Sequence, residues 1–553
     1  MRARFLTALF FGGAVVSTVP AHAALVISKG QTNAVDCSGG ICNATAADAV
    51  LNAKDLANML SAGNVSVFAE GVATDITIAA AFSWTSPYQL MLGAYGSVNV
   101  KNVVTVAGFG GLRITTNVAQ TGGLFRLVGD GKISFWDTSS SLIINDWNYK
   151  LVNNLPTLLD AIAGNASGHY ALAKNYDASL DGPFRSSAVP ATFEGVFEGL
   201  GNAINNLSFL NADAYDERIS LFAHVGGSGQ LADVVITNIS MKGRNAYLAP
   251  LAAINDGTIT HSSATGTLST TGGNNWAMAG LVTNNNNYVT RSHANVNMDG
   301  HAESAGGLVL NNNGTIDLSD ASGTIKAIGL AGGLVAYSTD AVVTSLAQGD
   351  VTVSANGDAF AGGLIGQVAG GINLKNFATG NVGGGQGVPE KRQYNSGQRS
   401  KSEGNELGGL AGSSAGVIRN CYAWGSVTGA APDQAKHPAV GGLVGSTSSA
   451  SNASHVIQSY ALGQLDANDK KYQGGVIGTD FSAQGTNDAA FWYLDTTGIT
   501  NPNQGAGNVF DDPGLKGVSE VKFRKTTLKN FDKSVWAENP NIHNGYPYLI
   551  AHS

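Results

Sequence analysis

Charge is scarce in this chain. Of 553 residues only 13% are charged, with 31 Lys and Arg against 39 Asp and Glu and a formal net charge of -8. Phosphate backbones are held by clustered Lys and Arg, so nucleic acid is not an expected partner. Disorder needs high net charge and few apolar residues, and 43% hydrophobic content argues against it. Proline numbers 13, and the 73 glycines follow no Gly-X-Y period, which removes a collagen-like rod. Beyond the N-terminus no apolar run reaches the ~20 residues of a membrane helix. No H-E-x-x-H, P-loop, Cys-pair metal motif or calcium-binding nonapeptide occurs, so neither a cofactor nor a metal site is expected.

What is present begins with an export signal over residues 1–23. MRAR supplies the positive region, FLTALFFGGAVVSTV the apolar core, and Ala21-His22-Ala23 a small-x-small cleavage site. The expected mature chain starts at Ala24 and enters an oxidising compartment. Cysteines number three. Cys37 and Cys42, in DCSGGIC, are disulfide candidates across a loop that Gly39-Gly40 makes flexible; the alternative is two free thiols. Cys421 reads as a small buried residue rather than a nucleophile.

A Gly-Leu-aliphatic phrase repeats through the second half. Its leucines are Leu251, Leu281, Leu308, Leu334, Leu364, Leu410 and Leu443, with Val476 closing the series. Most steps are ~26–33 residues, the range of solenoid repeats. A second phrase follows each anchor, as in VTRSHANV (289–296) and IRNCYAWG (418–425). One of its columns is Ala264, Ala294, Ala321, Ala347, Ala378, Ala423 and Ala461; two residues earlier stand Ser262, Ser292, Ser319, Ser345, Asn376, Cys421 and Ser459. Between them the residues vary: Ser263, His293, Asp320, Leu346, Phe377, Tyr422 and Tyr460. Small, variable, small is period-two alternation, so the uniform columns are expected inside and the variable one outside. Gly recurs after the Ala in six of the seven phrases, which suggests a corner needing a permissive backbone. No apolar segment keeps a 3.6 period over ten residues, which disfavours helical repeats. The expected fold is all-β: a right-handed parallel β-helix, or β-solenoid, with an N-terminal cap and a short C-terminal closing segment. Eight coils at ~4.8 Å would extend roughly 40 Å.

These phrases resemble the GLUG repeat, in Gly363-Leu364-Ile365-Gly366 and Gly442-Leu443-Val444-Gly445. Residues 149–179 and FEGVFEGLGNAINNLSF (193–209) resemble the lead-in that such proteins carry, and NGYPYL (544–549) their close. The resemblance implies a bacterial secreted or surface protein of the filamentous-haemagglutinin and adhesin type. Pro250-Leu251-Ala252-Ala253 and Gly280-Leu281-Val282-Thr283 depart from the phrase. No two-partner-secretion domain or autotransporter barrel is evident. The expected organisation is export signal 1–23; N-terminal cap and irregular coils 24–150, with a capping helix near 51–63; lead-in with a short helix 151–215; repeat coils 216–485; and C-terminal cap 486–553.

Catalytic constellations are weak. Asp317 and Asp320 occupy different columns, Asp177 and Asp181 flank a loop without an evident partner, and Asp511-Asp512 reads as a solvated turn. Gly412-Ser413-Ser414-Ala415-Gly416 matches G-x-S-x-G but falls at a repeat corner, not between a strand and a helix. The insertion 383–406 carries Lys391, Arg392, Tyr394, Arg399 and Lys401, either as a solvated mobile loop or as a contact loop. Phe377, Tyr422 and Tyr460 form an outward aromatic column, either stacking on sugars or only stabilising the sheet. The expected function is non-catalytic contact with host, matrix or neighbouring-cell glycans or proteins. The alternatives are a carbohydrate-active β-helix enzyme, lyase or glycosidase, and a purely structural matrix component.

Overall fold

The computed structural model describes residues 23–552 except 121, 212–216, 272–275, 355–358, 386–403, 430–436, 449–454, 468–469, 483–486, 521–522 and 524–528. The expected export signal, bar Ala23, therefore lies outside the described residues. The chain is mostly β, built as a solenoid of long parallel sheets. One coil shows the plan. Leu330–Gly332, Val335–Ser338, Val342–Val343 and then Leu346–Ala347 with Val351–Val353 belong to four successive sheets, I to IV. The next coil lies on it in parallel register, with Gly332 beside Gly362, Val335 beside Ile365 and Ala347 beside Ala378. Among the described residues no helix is long and apolar enough to cross a membrane.

The Gly-Gly-Leu phrase is the corner between sheets I and II. A methyl added at Gly332 would lie 1.8 Å from Val335 O, so the strand turns back too sharply for any side chain there. One added at Gly333 would lie 2.0 Å from Gly363 O of the next coil and 2.9 Å from Ala347 Cβ across its own coil. The same opposition recurs as Gly280 to Ala294, Gly307 to Ala321, Gly363 to Ala378, Gly409 to Ala423 and Gly442 to Ala461. Every alanine of the column, Ala264 included, is at most 1% exposed. The leucine after the glycines then fills the core beside this pinch, with Leu281, Leu308, Leu334, Leu364 and Leu443 all fully buried.

The serine column has a further role. Ser262, Ser292 and Ser319 each accept from the N–H one coil earlier, at Val234, Ser262 and Ser292, and donate to the carbonyl two residues back. Cys421 takes one of these positions, its thiol on Arg419 O and pushed up to about 12 by burial. Just before this column stand His261, Arg291, Leu318, Thr344, Lys375, Asn420 and Gln458, all left-handed with φ between 47° and 58°. Each would cost roughly 1–2 kcal/mol in isolation. Their N–H groups donate to the next coil, for example Leu318 to Val343 O, which fixes the corner. The left-handed corner is thus carried by non-glycine residues, and the glycines after the alanine column, Gly266 at φ 147° apart, serve another purpose. At Gly349 an added methyl would meet Gly323 O at 1.9 Å, so it is close stacking of coils, not backbone freedom, that requires glycine there.

The N-terminal part is a smaller solenoid of three sheets, whose core runs from Leu25 to Ile144 and is closed by Leu151, Ala171, Ala173 and Leu200. Its first edge is a hairpin in which Val35–Ser38 pairs antiparallel with Ile41–Ala44. Gly39-Gly40, both at positive φ, make the two-residue turn, and a Cys37–Cys42 disulfide joins directly opposed residues. Helix α1, Ala53–Ala62, is capped by Asn52 and buries Leu56 and Leu60 where this first coil would place its third strand. The two solenoid parts meet at a reversal. Asn145-Asp146, both left-handed, turn Ser141–Ile144 into the antiparallel Trp147–Val152, which opens sheet III, and from there the strands are parallel again. Residues 151–215 carry α2, Leu155–Gly164, and supply the first strands of sheets II and IV and the second of sheet III.

The C-terminal cap divides in two. Trp492 takes the alanine position of the last coil and plugs the core end, with Gly475 against its indole. The chain then runs back along the side of sheet IV, bringing Trp536 to Asn420 and His552 to Lys375. Replacing Ala347 by Leu should lower stability by about 1–3 kcal/mol through overpacking against Gly333. Thr352→Leu, on an exposed position of the same coil, should change it by less than about 0.5 kcal/mol. Equal denaturation midpoints for the two variants would contradict the pinch.

Candidate functional site

The column Phe377, Tyr422 and Tyr460 points out of the coil but is not exposed: these residues are 7%, 1% and 0% accessible. Phe523, Phe531, Trp536 and Leu549 cover it in a second hydrophobic cluster. Coil stacking also sets the rings face to face, Phe377 on Tyr422 at 4.7 Å and 3°, Tyr422 on Tyr460 at 5.2 Å and 7°. Their faces are occupied by one another, so sugar stacking on this column is corrected to an internal ladder. Lys391, Arg392, Tyr394, Arg399 and Lys401 lie outside the described residues. The insertion is shorter than 383–406, since Gly383 and Gly384 end one strand and Glu406 begins another.

An open aromatic site sits instead at the reversal. Trp147, the first residue after the hairpin turn, is 61% exposed and lies on His169 with centroids 4.6 Å apart and planes 16° from parallel. Tyr149 meets His169 edge-on at 5.2 Å. Burial holds the His169 imidazole below its usual range. Beside the turn, Arg113 and Asp146 form an ion pair at 2.5 Å. The Trp147 indole is thus stacked by one ring and otherwise largely open, while strand register puts Arg113 on the Asn148 side of the sheet, away from it. The turn residues Asn145-Asp146 were the only signal for it in the sequence.

Three constellations bear on catalysis. Glu198 and Asp233 hydrogen-bond each other near the junction of the two solenoid parts. Burial raises Glu198 well above the carboxylate range and carries Asp233 to about 7, so the pair holds a proton at neutral pH. Carboxyls in direct contact leave no room for a glycosidic bond, whose two acids stand about 5–9.5 Å apart. Thr192 Oγ1, His224 and Asp256 form a line at 3.1 and 2.7 Å. That line continues through Asn286, Asn313 and Thr339, one residue per coil, which makes it a surface ladder. The neighbouring Ser228 N–H, a potential oxyanion donor, is taken by Glu194. Ser414 of the G-x-S-x-G match is a buried strand residue bonded to Gly416 O.

The remaining acids are structural. Asp320 is paired with His293, which raises that imidazole. Asp181 accepts from the Tyr176 hydroxyl and Asp177 caps Ser179 N–H, so the pair expected to lack partners has them. Asp511 is exposed, but Asp512 is buried against Asn487 and Gly514 N–H, which corrects the solvated-turn reading. Among the described residues no three His, Cys, Asp or Glu side chains are placed to hold a metal ion.

No family model matches the chain, and no curated protein matches it. A solved structure titled IgA1 Protease is similar at 19% identity and a TM-score of 0.32, over 48% of this chain and 21% of that chain. A likeness of that size covers about a fifth of the other protein, and the functional reading rests on this chain's own geometry.

The carboxyl pair has a measurable sign. A folded-state pKa raised above the free value means the unfolded chain releases protons that the folded chain keeps. The pair's contribution is therefore full below about pH 4 and declines as pH rises through about 7. Relative to a Glu198→Gln/Asp233→Asn variant, the native chain should lose thermal midpoint steadily across that window. Parallel profiles would show that the two carboxyls titrate as free acids.

Proposed function

We propose that this chain is an exported, right-handed parallel β-helix of the GLUG-repeat, filamentous-haemagglutinin-like type, acting as a non-catalytic adhesin. Its partners are glycans of a host, matrix or neighbouring cell, met on the outside of the solenoid. The handedness follows the general rule for crossovers between parallel strands of one sheet, right-handed in about 98% of cases. Residues 1–23 support export, and the repeating Gly-Leu-aliphatic-Gly corners support the family reading. The observation that carries the glycan assignment is the exposed indole of Trp147, backed by the stacked ring of His169. Flat aromatic faces take the apolar face of a pyranose ring. The basic insertion with Lys391, Arg392 and Tyr394 is a second contact segment, and its deletion separates the two.

An array of glycans and matrix proteins probed with the mature chain tests this directly. Trp147→Ala should weaken glycan binding by about fivefold or more, from the ~1 kcal/mol that an aromatic contact supplies. Binding unchanged in Trp147→Ala but lost on deleting residues 386–403 would move the site to the insertion. Depolymerisation of a polysaccharide by the wild-type chain would replace the adhesin reading with the enzyme one.

A further inference from the structure

The returning C-terminal segment has short turns of its own but little sheet. Within it Trp536–Ala537 pairs with Tyr548–Leu549, Ile550 N–H donates to Val535 O, backbone turns close on Asp532, Asn539 and His543, and Phe531 lies 4.7 Å from Trp536. The rest of the packing that orders Phe531–His552 comes from the ladder beneath. Phe531 and Trp536 pack on Phe491 and Tyr460, His543 sets its edge on Trp424, and His552 its edge on Phe377. Polar ties hold it too: the Tyr460 hydroxyl to Pro547 O at 2.5 Å, Trp536 Nε1 to Asn420 Oδ1 at 3.0 Å and His552 Nε2 to Lys375 O at 2.8 Å, with Gln458 Nε2 to Asn530 O at 3.1 Å just before its start.

The fit is incomplete at its centre. The Tyr422 hydroxyl and His543 Nδ1 are both buried there without a hydrogen-bond partner, with their rings 6.4 Å apart. Leaving such groups unpaired costs roughly 1–3 kcal/mol apiece, and both regain water when the segment lifts. His543, Asn544 and Gly545 are also three consecutive left-handed residues, a bend the free segment has no reason to keep. The solenoid, by contrast, is complete without the segment, since Trp492 already plugs its end.

We propose that Phe531–His552 is a displaceable strap, docked on the aromatic ladder at neutral pH and released in mild acid, which then opens the ladder's ring edges and tyrosine hydroxyls to solvent. The two histidines supply the trigger, and the proposal does not depend on the glycan reading. Burial holds both imidazoles below their usual range. Around His543 stand Tyr422, Trp424 and Tyr548, none of them charged at neutral pH, and His552 as a like charge in acid. Facing His552 are Lys375, through its carbonyl, and Asp320, whose charge is already engaged by His293. Farther along, Asp532 lies toward Lys375, while Glu520 and Asp495 act on Tyr493. A histidine depressed in the docked state favours docking fully above its free value of ~6.5 and progressively less below it. At pH 5 the docking equilibrium falls by as much as about 30-fold per imidazole, the ratio set by those 1.5 pH units.

Hydrogen–deuterium exchange on the full mature chain reads this, with protection factors corrected for the intrinsic effect of pH. Between pH 7.5 and pH 5, peptides covering 535–550 should lose tens-fold protection or more, while peptides covering 330–353 stay unchanged. In a His543→Phe/His552→Phe variant the acid loss should vanish. If that variant is already unprotected at pH 7.5, His552→Phe alone should show a smaller acid loss than wild type. Equal protection of the strap at both pH values in the wild type, or an undiminished acid loss in the histidine variants, overturns the proposal.

Discussion

A single contact sets the cross-section of the repeat coils: the second glycine of each corner against the alanine of the strand opposite. Because Gly333 has no side chain and Ala347 has one carbon, two walls of the coil close to van der Waals distance. That closure brings Leu334 and Val335 into a core only one or two side chains wide. It also brings each glycine against a carbonyl of the next coil, so the same residue sets both the width of a coil and its fit on its neighbour. Packing of this density has no slack, which is why the phrase recurs with so little variation inside one chain. Where the closure is no longer wanted, at the last coil, Trp492 replaces the alanine and fills the space instead.

Polar ladders do for the corners what the glycine–alanine contact does for the core. A left-handed residue such as Leu318 turns its strand abruptly, and the following N–H would be orphaned inside the protein. The serine one coil on supplies the acceptor, as Ser345 Oγ does for Ser319 N–H. A net gain of about 1 kcal/mol per such bond is of the order of the cost of the left-handed backbone. The buried amides Asn255, Asn285 and Asn312 repeat the device at the corner between sheets II and III, each donating to the next. Stacking therefore does not merely bury apolar surface; it completes hydrogen bonds that a lone coil leaves open.

This explains what the sequence disclosed and what it hid. Interior columns were legible because each position meets its own equivalent one coil away, so physical constraint becomes internal repetition. Ala264 to Ala461 could be read that way without a structure. The glycine that follows six of the seven alanines was located correctly, but a permissive backbone accounts only for Gly266, at φ 147°; at Gly323, Gly349, Gly380, Gly425 and Gly463 a carbonyl of the neighbouring coil excludes a side chain, and repetition alone does not tell the two causes apart. Nothing periodic marks the reversal at Asn145-Asp146, where two turn residues change the direction of every later strand. Nor does any pattern in Phe377, Tyr422 and Tyr460 show that residues beyond the last coil, from Phe523 to Leu549, return to cover them. Outward positions are constrained by whatever lies against them, and that information is not in the repeat.

The two aromatic sets of this chain differ for the same geometric reason. Rings in one column of a parallel solenoid are spaced by the coil rise, about 4.8 Å, close enough that they stack on each other. Their faces are then consumed, and what remains outward is a ribbon of edges and hydroxyls, a surface that an aromatic peptide segment such as Phe531–His552 can cover. A free face can arise only where the column is interrupted. The antiparallel turn does this for Trp147: His169 lies on one side, and beyond the hairpin no further ring of the same column follows. The irregularity that joins the two solenoid parts is thus also what leaves the Trp147 indole exposed, and it places the best candidate for ligand contact where the repeat breaks rather than where it is most regular.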